Sequence, residues 1–401
     1  MFPGSAKQAG RFFSEARILE LYSEIRDYLP KQRRKEFEKS WVVNNLLVGS
    51  RKRRRLEKKL RCTLPALIDI TPTEKCNLNC LGCCALSYSR SVEMTADQIR
   101  SIIGQARELG IYLVGFLGGE PFARKDLFRV VEENNDMAFR ISTNGTMLEG
   151  ETIEALKRCG NLVTFFSLEG FEEETDGWRG NGVYTHIMES MSKLKQERLL
   201  FGFSVLLHKN NVRAVVSTPF LAAMRDAGCK FGLFFPYGPA GDSARYELRL
   251  DENEISESLS SLGVLSKNYT MLLIKEGFTA PGDSGDYIAE KGCRAGVTVN
   301  ITPEGNVEPC NCIQFFKDNI LTSRLEDIYA SPYFEEIREL HPEDRRECLV
   351  VARPREVMEV VKRHQVSETH KDAMSHLEKY VWNIERKEQR IPSRQTRPID
   401  I

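Results

Sequence analysis

Between residues 66 and 239, short apolar runs alternate with amphipathic stretches, a pattern that predicts strand and helix in turn. Strands are expected at 66–71, 112–117, 139–143, 162–168, 200–207 and 230–235. Between them, Thr95 and Gln98 form a capping box, and 127–133, 152–159, 184–195 and 217–227 carry apolar residues at helical spacing. Repeated strand-helix-strand units build a parallel sheet. Six of them predict an α/β fold, a partial (β/α)6 TIM-like barrel over residues 63–245. In parallel barrels the loops after the strands carry the chemistry.

The flanks read differently. Residues 1–62 form an N-terminal helical appendage, with Ile18, Leu19, Leu21, Tyr22 and Ile25 at helical spacing and Pro30 ending the run. It closes on RKRRRLEKKLR at 51–61. As a solvated helix face this stretch needs no partner. With neighbouring Trp41, Val42, Val43, Leu46 and Leu47 it reads instead as a peripheral membrane contact or a grip on an acidic substrate. Residues 246–280 are expected to be a helical linker, with its helix at 252–267. Residues 281–365 form a small C-terminal domain with a hairpin, 297–301 turning at 303–306, and a last helix at 356–363. A polar tail fills 366–401, its final twenty residues expected to be mobile.

Composition narrows the function. Lys and Arg number 57 against 57 Asp and Glu, so no global field draws the chain to nucleic acid. No window approaches the roughly 18 apolar residues of a spanning helix, and the first thirty residues mix Lys, Arg and Glu, so a cytoplasmic protein is expected. Eleven cysteines in a reducing compartment point to metal binding or catalysis rather than disulfides. Cys76, Cys80 and Cys83 form one tight group beside Cys84. Cys293, Cys310, Cys312 and Cys348 form a looser one, and Cys62, Cys159 and Cys229 stand alone.

Directly after the first strand the chain reads TPTEKCNLNCLGCC, a C-x-x-x-C-x-x-C triplet in a loop at the top of the barrel. A tetrahedral zinc site usually takes four ligands, and no histidine lies near this loop. Three thiolates on a [4Fe-4S] cluster leave one iron free for an external ligand. The triplet in this place resembles the radical S-adenosylmethionine (radical SAM) superfamily. That resemblance implies that the open iron binds S-adenosylmethionine and that one electron splits it to a 5'-deoxyadenosyl radical, which takes hydrogen from an unactivated C–H bond. A low-potential donor such as ferredoxin or flavodoxin is implied as partner. The family usually has an aromatic residue just before the third cysteine; here that position is Gly82, and Cys84 is expected to be a buried thiol.

Further motifs stand at strand ends. Gly118, Gly119 and Glu120 would be a tight turn if alone; the resemblance sets them against the methionyl ammonium. Ser142 and Asn144 end the third strand, Ser167 and Glu169 the fourth, where the family binds ribose hydroxyls and the methionyl end. Asp176-Gly177-Trp178-Arg179-Gly180 resembles a maturase segment whose arginine meets the methionyl carboxylate; the alternative for Arg179 is a surface salt bridge. Tyr237, after the sixth strand, covers adenine, lines the substrate pocket or packs in the core. His186, His208 and His341 are expected to be ordinary histidines.

The segment GCRAGVTVNITPEGNVEPCNC resembles the SPASM or shortened twitch domain of these proteins. One auxiliary [4Fe-4S] cluster is implied on Cys293, Cys310 and Cys348, with Cys312 as its fourth ligand or idle; zinc on the same four thiolates is the competing reading. The resemblance implies a peptide substrate, and the basic, apolar-flanked N-terminal region suggests a lipid-like one instead. A second function class is a non-catalytic metal-binding interaction protein. An open three-cysteine site with Glu120 and Arg179 at strand ends argues against it, because structural sites are closed.

Overall fold

A computed structural model describes residues 15–266, 269, 271–275, 293–341 and 348–390. The remaining residues, including the end of the expected linker, the start of the small domain and 391–401 of the tail, lie outside the described residues.

The chain opens with α1 (Glu15–Tyr28) and α2 (Lys31–Phe37), which runs through a π-helical stretch (Glu38–Gly49) into α3 (Ser50–Leu60). The apolar side of this rod packs on the barrel. Ile25, Leu29 and Phe37 are buried with Phe165 and Phe231, and the Trp41 indole N–H donates to the Asn161 carbonyl at 3.0 Å. From α3, Lys52 and Arg53 hydrogen-bond the carbonyls of Arg107 and Gly110. Val43, Leu46 and Val48 remain exposed, as do Arg51, Arg54, Arg55, Lys58 and Lys59.

The barrel follows as β1 (Leu67–Ile70), α4 (Ala96–Glu108), β2 (Leu113–Phe116), α5 (Asp126–Glu133), β3 (Ala138–Thr143), α6 (Gly150–Arg158), β4 (Leu162–Leu168), α7 (Glu172–Arg179), α8 (Val183–Gln196), β5 (Phe201–Leu207), α9 (Thr218–Ala227) and β6 (Phe231–Pro236). Neighbouring strands pair in parallel from β1 to β6. Local sequence explains several boundaries. The Thr95–Gln98 capping box starts α4, and Ser217 caps α9, which ends on left-handed Gly228. β3 and β4 are buried at nearly every position because helices cover one face and the barrel interior the other.

The sheet is wider than the six predicted strands. The linker holds α10 (Glu252–Ser266) and also β7 (Leu272–Lys275), which pairs in parallel with β6. At the other edge, β8 (Asn300–Ile301) of the expected hairpin pairs in parallel with β1 and antiparallel with β9 (Val307–Glu308). The order is β7-β6-β5-β4-β3-β2-β1-β8-β9, a partial barrel whose edge strand belongs to the small domain.

Beyond it come β10 (Phe315–Phe316), α11 (Leu325–Tyr329), α12 (Pro332–Glu339), α13 (Pro354–Arg363), β11 (Ser367–Glu368) and α14 (Ala373–Arg390). The expected polar tail is corrected here: α14 packs back, with Ala373, Leu377 and Tyr380 buried. Their spacing of four and then three gives one apolar stripe in a sequence otherwise rich in Lys and Glu. No helix among the described residues is long and apolar enough to cross a membrane.

Candidate functional site

Cys76, Cys80 and Cys83 leave β1 in one loop, and the chain fixes that loop with main-chain bonds. Leu81 N–H donates to the Trp178 carbonyl at 2.8 Å, Gly119 N–H to Thr73 at 2.9 Å and Glu120 N–H to Lys75 at 2.8 Å. Gly118 sits at φ +109°, and a Cβ on it or on Gly119 would strike the carbonyls of Thr73 and Lys75. The two glycines are therefore what lets the turn after β2 lie against the cysteine loop.

Two side chains aim N–H groups at the thiols. Asn144 Nδ2 is 3.7 Å from Cys76 Sγ, and Arg179 Nη1 is 3.9 Å from Cys80 Sγ. Burial pushes the Cys80 and Cys83 thiols up, and Arg179 opposes this at both. Among the described residues, no three or more His, Cys, Asp or Glu side chains gather about a point one ion would occupy. Three thiols on one loop, faced by an amide and a guanidinium, form a donor set of the kind that holds and tunes an iron–sulfur cluster. Cys84 has its thiol pushed up by burial.

Glu120 is fully buried and its carboxylate is occupied within the protein. It accepts from Phe122 N–H at 2.9 Å, the Thr143 hydroxyl at 2.8 Å and Asn144 N–H at 2.7 Å. Burial raises its pKa and these three donors oppose the rise. Its observed contacts thus clamp the end of β3 against the turn after β2. Ser142 and Ser167 pair in register with Phe165 and Ser204, and the contacts to Glu120 come from Thr143 and Asn144 instead.

A second polar group stands at the ends of β4 and β5. Glu169 Oε1 accepts from Arg179 Nη2 at 2.5 Å, with Glu169 fully buried and the Arg179 side chain 12% exposed, so the pair lies largely inside the barrel rather than on its surface. Burial raises Glu169 to about 7 against the pull of Arg179. His208 follows β5 directly, its ring stacked on Trp178 at 4.3 Å and 16°. Burial lowers it to about 4, so it is neutral at physiological pH. Its Nε2 is 4.0 Å from Glu169 Oε2, and neither atom makes a hydrogen bond of ordinary geometry. In the sequence His208 has only the reading of an ordinary histidine, since a lone histidine after a strand carries no signal of its own.

Tyr237 is buried, edge-on to Trp178 at 5.3 Å, with burial raising its hydroxyl to about 12. Gly82 sits at φ +67°, and a Cβ there would lie 2.5 Å from Tyr237 Oη and 3.1 Å from Trp178 Cζ2. Aromatic rings from α7 and the β6 loop thus fill the space in front of the third cysteine.

The second group assembles from separate segments. Cys293 lies near enough to Cys348, and Cys312 to Cys310 and Cys348, for the thiols to shift one another's titration. These contacts and burial push Cys293 and Cys312 up, while the same contacts draw Cys348 down. Leu349 N–H donates to Cys293 Sγ at 3.4 Å. Cys312 is therefore among the other three. Its Sγ lies 3.0 Å from where a Cβ on Gly238 would stand.

Comparison with known proteins places this architecture. Residues 70–218 match the model of the Radical SAM superfamily. Residues 70–218 therefore form a radical SAM domain. It is 27% identical over 289 residues to an AdoMet-dependent heme synthase of Methanosarcina barkeri (strain Fusaro / DSM 804), covering 67% of this chain and 82% of that protein. It is 26% identical over 296 residues to a PqqA peptide cyclase of Gluconobacter oxydans (strain 621H), covering 69% and 80%. SuiB of Streptococcus suis, solved bound to S-adenosylmethionine, shares the fold at a TM-score of 0.62 and 18% identity, covering 74% of this chain and 73% of SuiB.

Proposed function

We propose that this enzyme reductively cleaves S-adenosylmethionine and abstracts hydrogen from an unactivated C–H bond of a peptide or lipid-like substrate, assisted by one auxiliary [4Fe-4S] cluster. The observation that carries the reading is the single loop with Cys76, Cys80 and Cys83, faced by Asn144 and Arg179. Cys76, Cys80 and Cys83 would hold a [4Fe-4S] cluster, which would supply the electron for reductive cleavage of the sulfonium. The chain's own part is positioning. Gly118 and Gly119 offer backbone groups to the methionyl ammonium, Arg179 offers its guanidinium to the methionyl carboxylate, and Glu169 accepts from ribose hydroxyls. Asn144, Ser142 and Ser167 complete the polar rim, and Tyr237 closes the apolar side. Glu120 acts through the β3 end that it holds. Cys293, Cys310, Cys312 and Cys348 hold the auxiliary cluster, and a ferredoxin or flavodoxin supplies electrons.

A peptide substrate is supported by the PqqA peptide cyclase among the relatives. A membrane-bound substrate is favoured by the rod's solvent face, where exposed Val43, Leu46 and Val48 adjoin five exposed cations of α3. Flotation with anionic vesicles separates the two.

The test of the chemistry is 5'-deoxyadenosine formation by anaerobically reconstituted protein with a strong reductant. Wild type is expected to form it and Cys83→Ala to form none. An iron-replete wild type that neither forms it nor binds S-adenosylmethionine would overturn the reading.

A further inference from the structure

His208 is held as if to present one nitrogen. Its main-chain N–H donates to Asn211 Oδ1 at 2.9 Å, and Asn211 Nδ2 donates to the Leu206 carbonyl at 2.7 Å, so the turn after β5 is pinned. Its ring lies flat on Trp178, with Tyr237 edge-on 6.5 Å away. Asn210 N–H donates to Nδ1 at 3.3 Å, which leaves the proton of the neutral ring on Nε2. That N–H points toward Glu169 Oε2 across 4.0 Å.

The gap is too long for a direct bond, and a hydroxyl oxygen between the two closes it with two bonds of ordinary length. The pairing is chemically complementary: the hydroxyl accepts from Nε2–H and donates to the carboxylate. Both atoms are buried and make no hydrogen bond of ordinary geometry, a state that buried polar atoms seldom hold unless a ligand or water completes them. The other carboxylate oxygen is held by Arg179, so Oε2 cannot swing away without breaking that pair.

We propose that His208 is a specificity-determining residue of the cofactor site, donating through Nε2–H to one ribose hydroxyl of S-adenosylmethionine that Glu169 Oε2 accepts from. This rests on the radical SAM reading of the site. It adds a recognition element from β5 that no cysteine or glycine motif marks. A pocket reading a hydroxyl with a donor and an acceptor rejects the analogue that lacks it, because two buried groups are then left unpaired.

The experiment is equilibrium binding of S-adenosylmethionine and its 2'-deoxy and 3'-deoxy analogues to iron-replete full-length protein. The proteins compared are wild type, His208→Phe and His208→Gln. Phenylalanine keeps a ring on Trp178 and loses the donor; glutamine keeps an N–H and loses the stacked ring. Wild type is expected to bind one deoxy analogue about tenfold more weakly than S-adenosylmethionine, the weight of about one hydrogen bond. His208→Phe is expected to lose about tenfold for S-adenosylmethionine and to bind that analogue no worse; His208→Gln recovers most of the affinity.

Equal binding by wild type and His208→Phe overturns the assignment. So does a loss shared by Phe and Gln with discrimination between analogues intact, which would make His208 a packing residue or place a bound water in the gap. Wild type that carries its iron and binds no S-adenosylmethionine overturns the underlying reading, and this assignment with it. Thermal melts within a few degrees of wild type keep a folding defect from passing as lost recognition.

Discussion

Cys76, Cys80 and Cys83 share one loop, while Cys293, the pair Cys310 and Cys312, and Cys348 come from three separate segments. Main-chain bonds to the turn after β2 and to the end of α7 set the first loop. The second group depends on tertiary packing: the hairpin returns beside β1, Leu349 caps Cys293, and α14 lays Tyr380 near Cys312 and Cys348. A local site can be recognised as a motif. A site gathered from afar is recognised only once the elements that gather it are known.

The sharpest way to break this comparison is to remove the two groups separately. With two cubanes the wild type is expected to carry about eight irons per chain. Replacing Cys76, Cys80 and Cys83 with alanine is expected to leave about four, and replacing the other four cysteines should leave the complementary four. Iron analysis with electron paramagnetic resonance reads both. One variant losing all iron would mean the groups do not fold independently.

A smaller effect separates gathered from local packing. Tyr380 is buried, and its hydroxyl donates to the Pro239 carbonyl. Tyr380→Ala is expected to cost about 4 kcal/mol, the usual range for emptying an aromatic site. The iron it loses should come from the second group, with the first still binding S-adenosylmethionine. Denaturant melts and iron analysis check this.

The gentlest probe is pH. Burial raises Glu169 from 4.5 to about 7, so between those values the folded chain holds a proton that the unfolded chain has released. Stability from this group is present in full below about pH 4.5 and is lost as pH rises through about 7. At roughly 1.4 kcal/mol per unit the loss is of order 3 kcal/mol. Glu308, raised by burial to about 7, contributes in the same direction. Buried Glu74 and Glu120 are raised as well, so Glu169→Gln is expected to remove part of the decline seen in melts from pH 5 to 8. A decline unchanged in the variant would mean that Glu169 is ionised across the range.

The barrel was legible because each strand is an apolar run bounded by turn residues, and all six predicted strands form within a residue or two of their expected ends. The cysteine loop was legible because its residues are neighbours in sequence. β7 was not: Leu272–Lys275 is a four-residue run whose only strand signal is its pairing with β6. α14 was not, because its buried stripe is diluted by charged neighbours. Trp178 and Tyr237 could not be seen filling the space beside Gly82, since they come from α7 and the β6 loop. At the end of β3 the bond from the Thr143 hydroxyl to Glu120 was not legible either, because it joins the ends of two strands that only the folded sheet brings together.

The turn after β6 touches both thiol groups. Tyr237 stands against Gly82, Gly238 against Cys312 and Gly241 against Cys84, while Pro239 receives Tyr380. A single party wall thus serves two rooms. Lengthening it by one residue would disturb both, so the small domain is not a cartridge to be unplugged and grafted onto another barrel without residues 237–241. Swaps between relatives should be cut outside that turn, and natural insertions are expected to spare it.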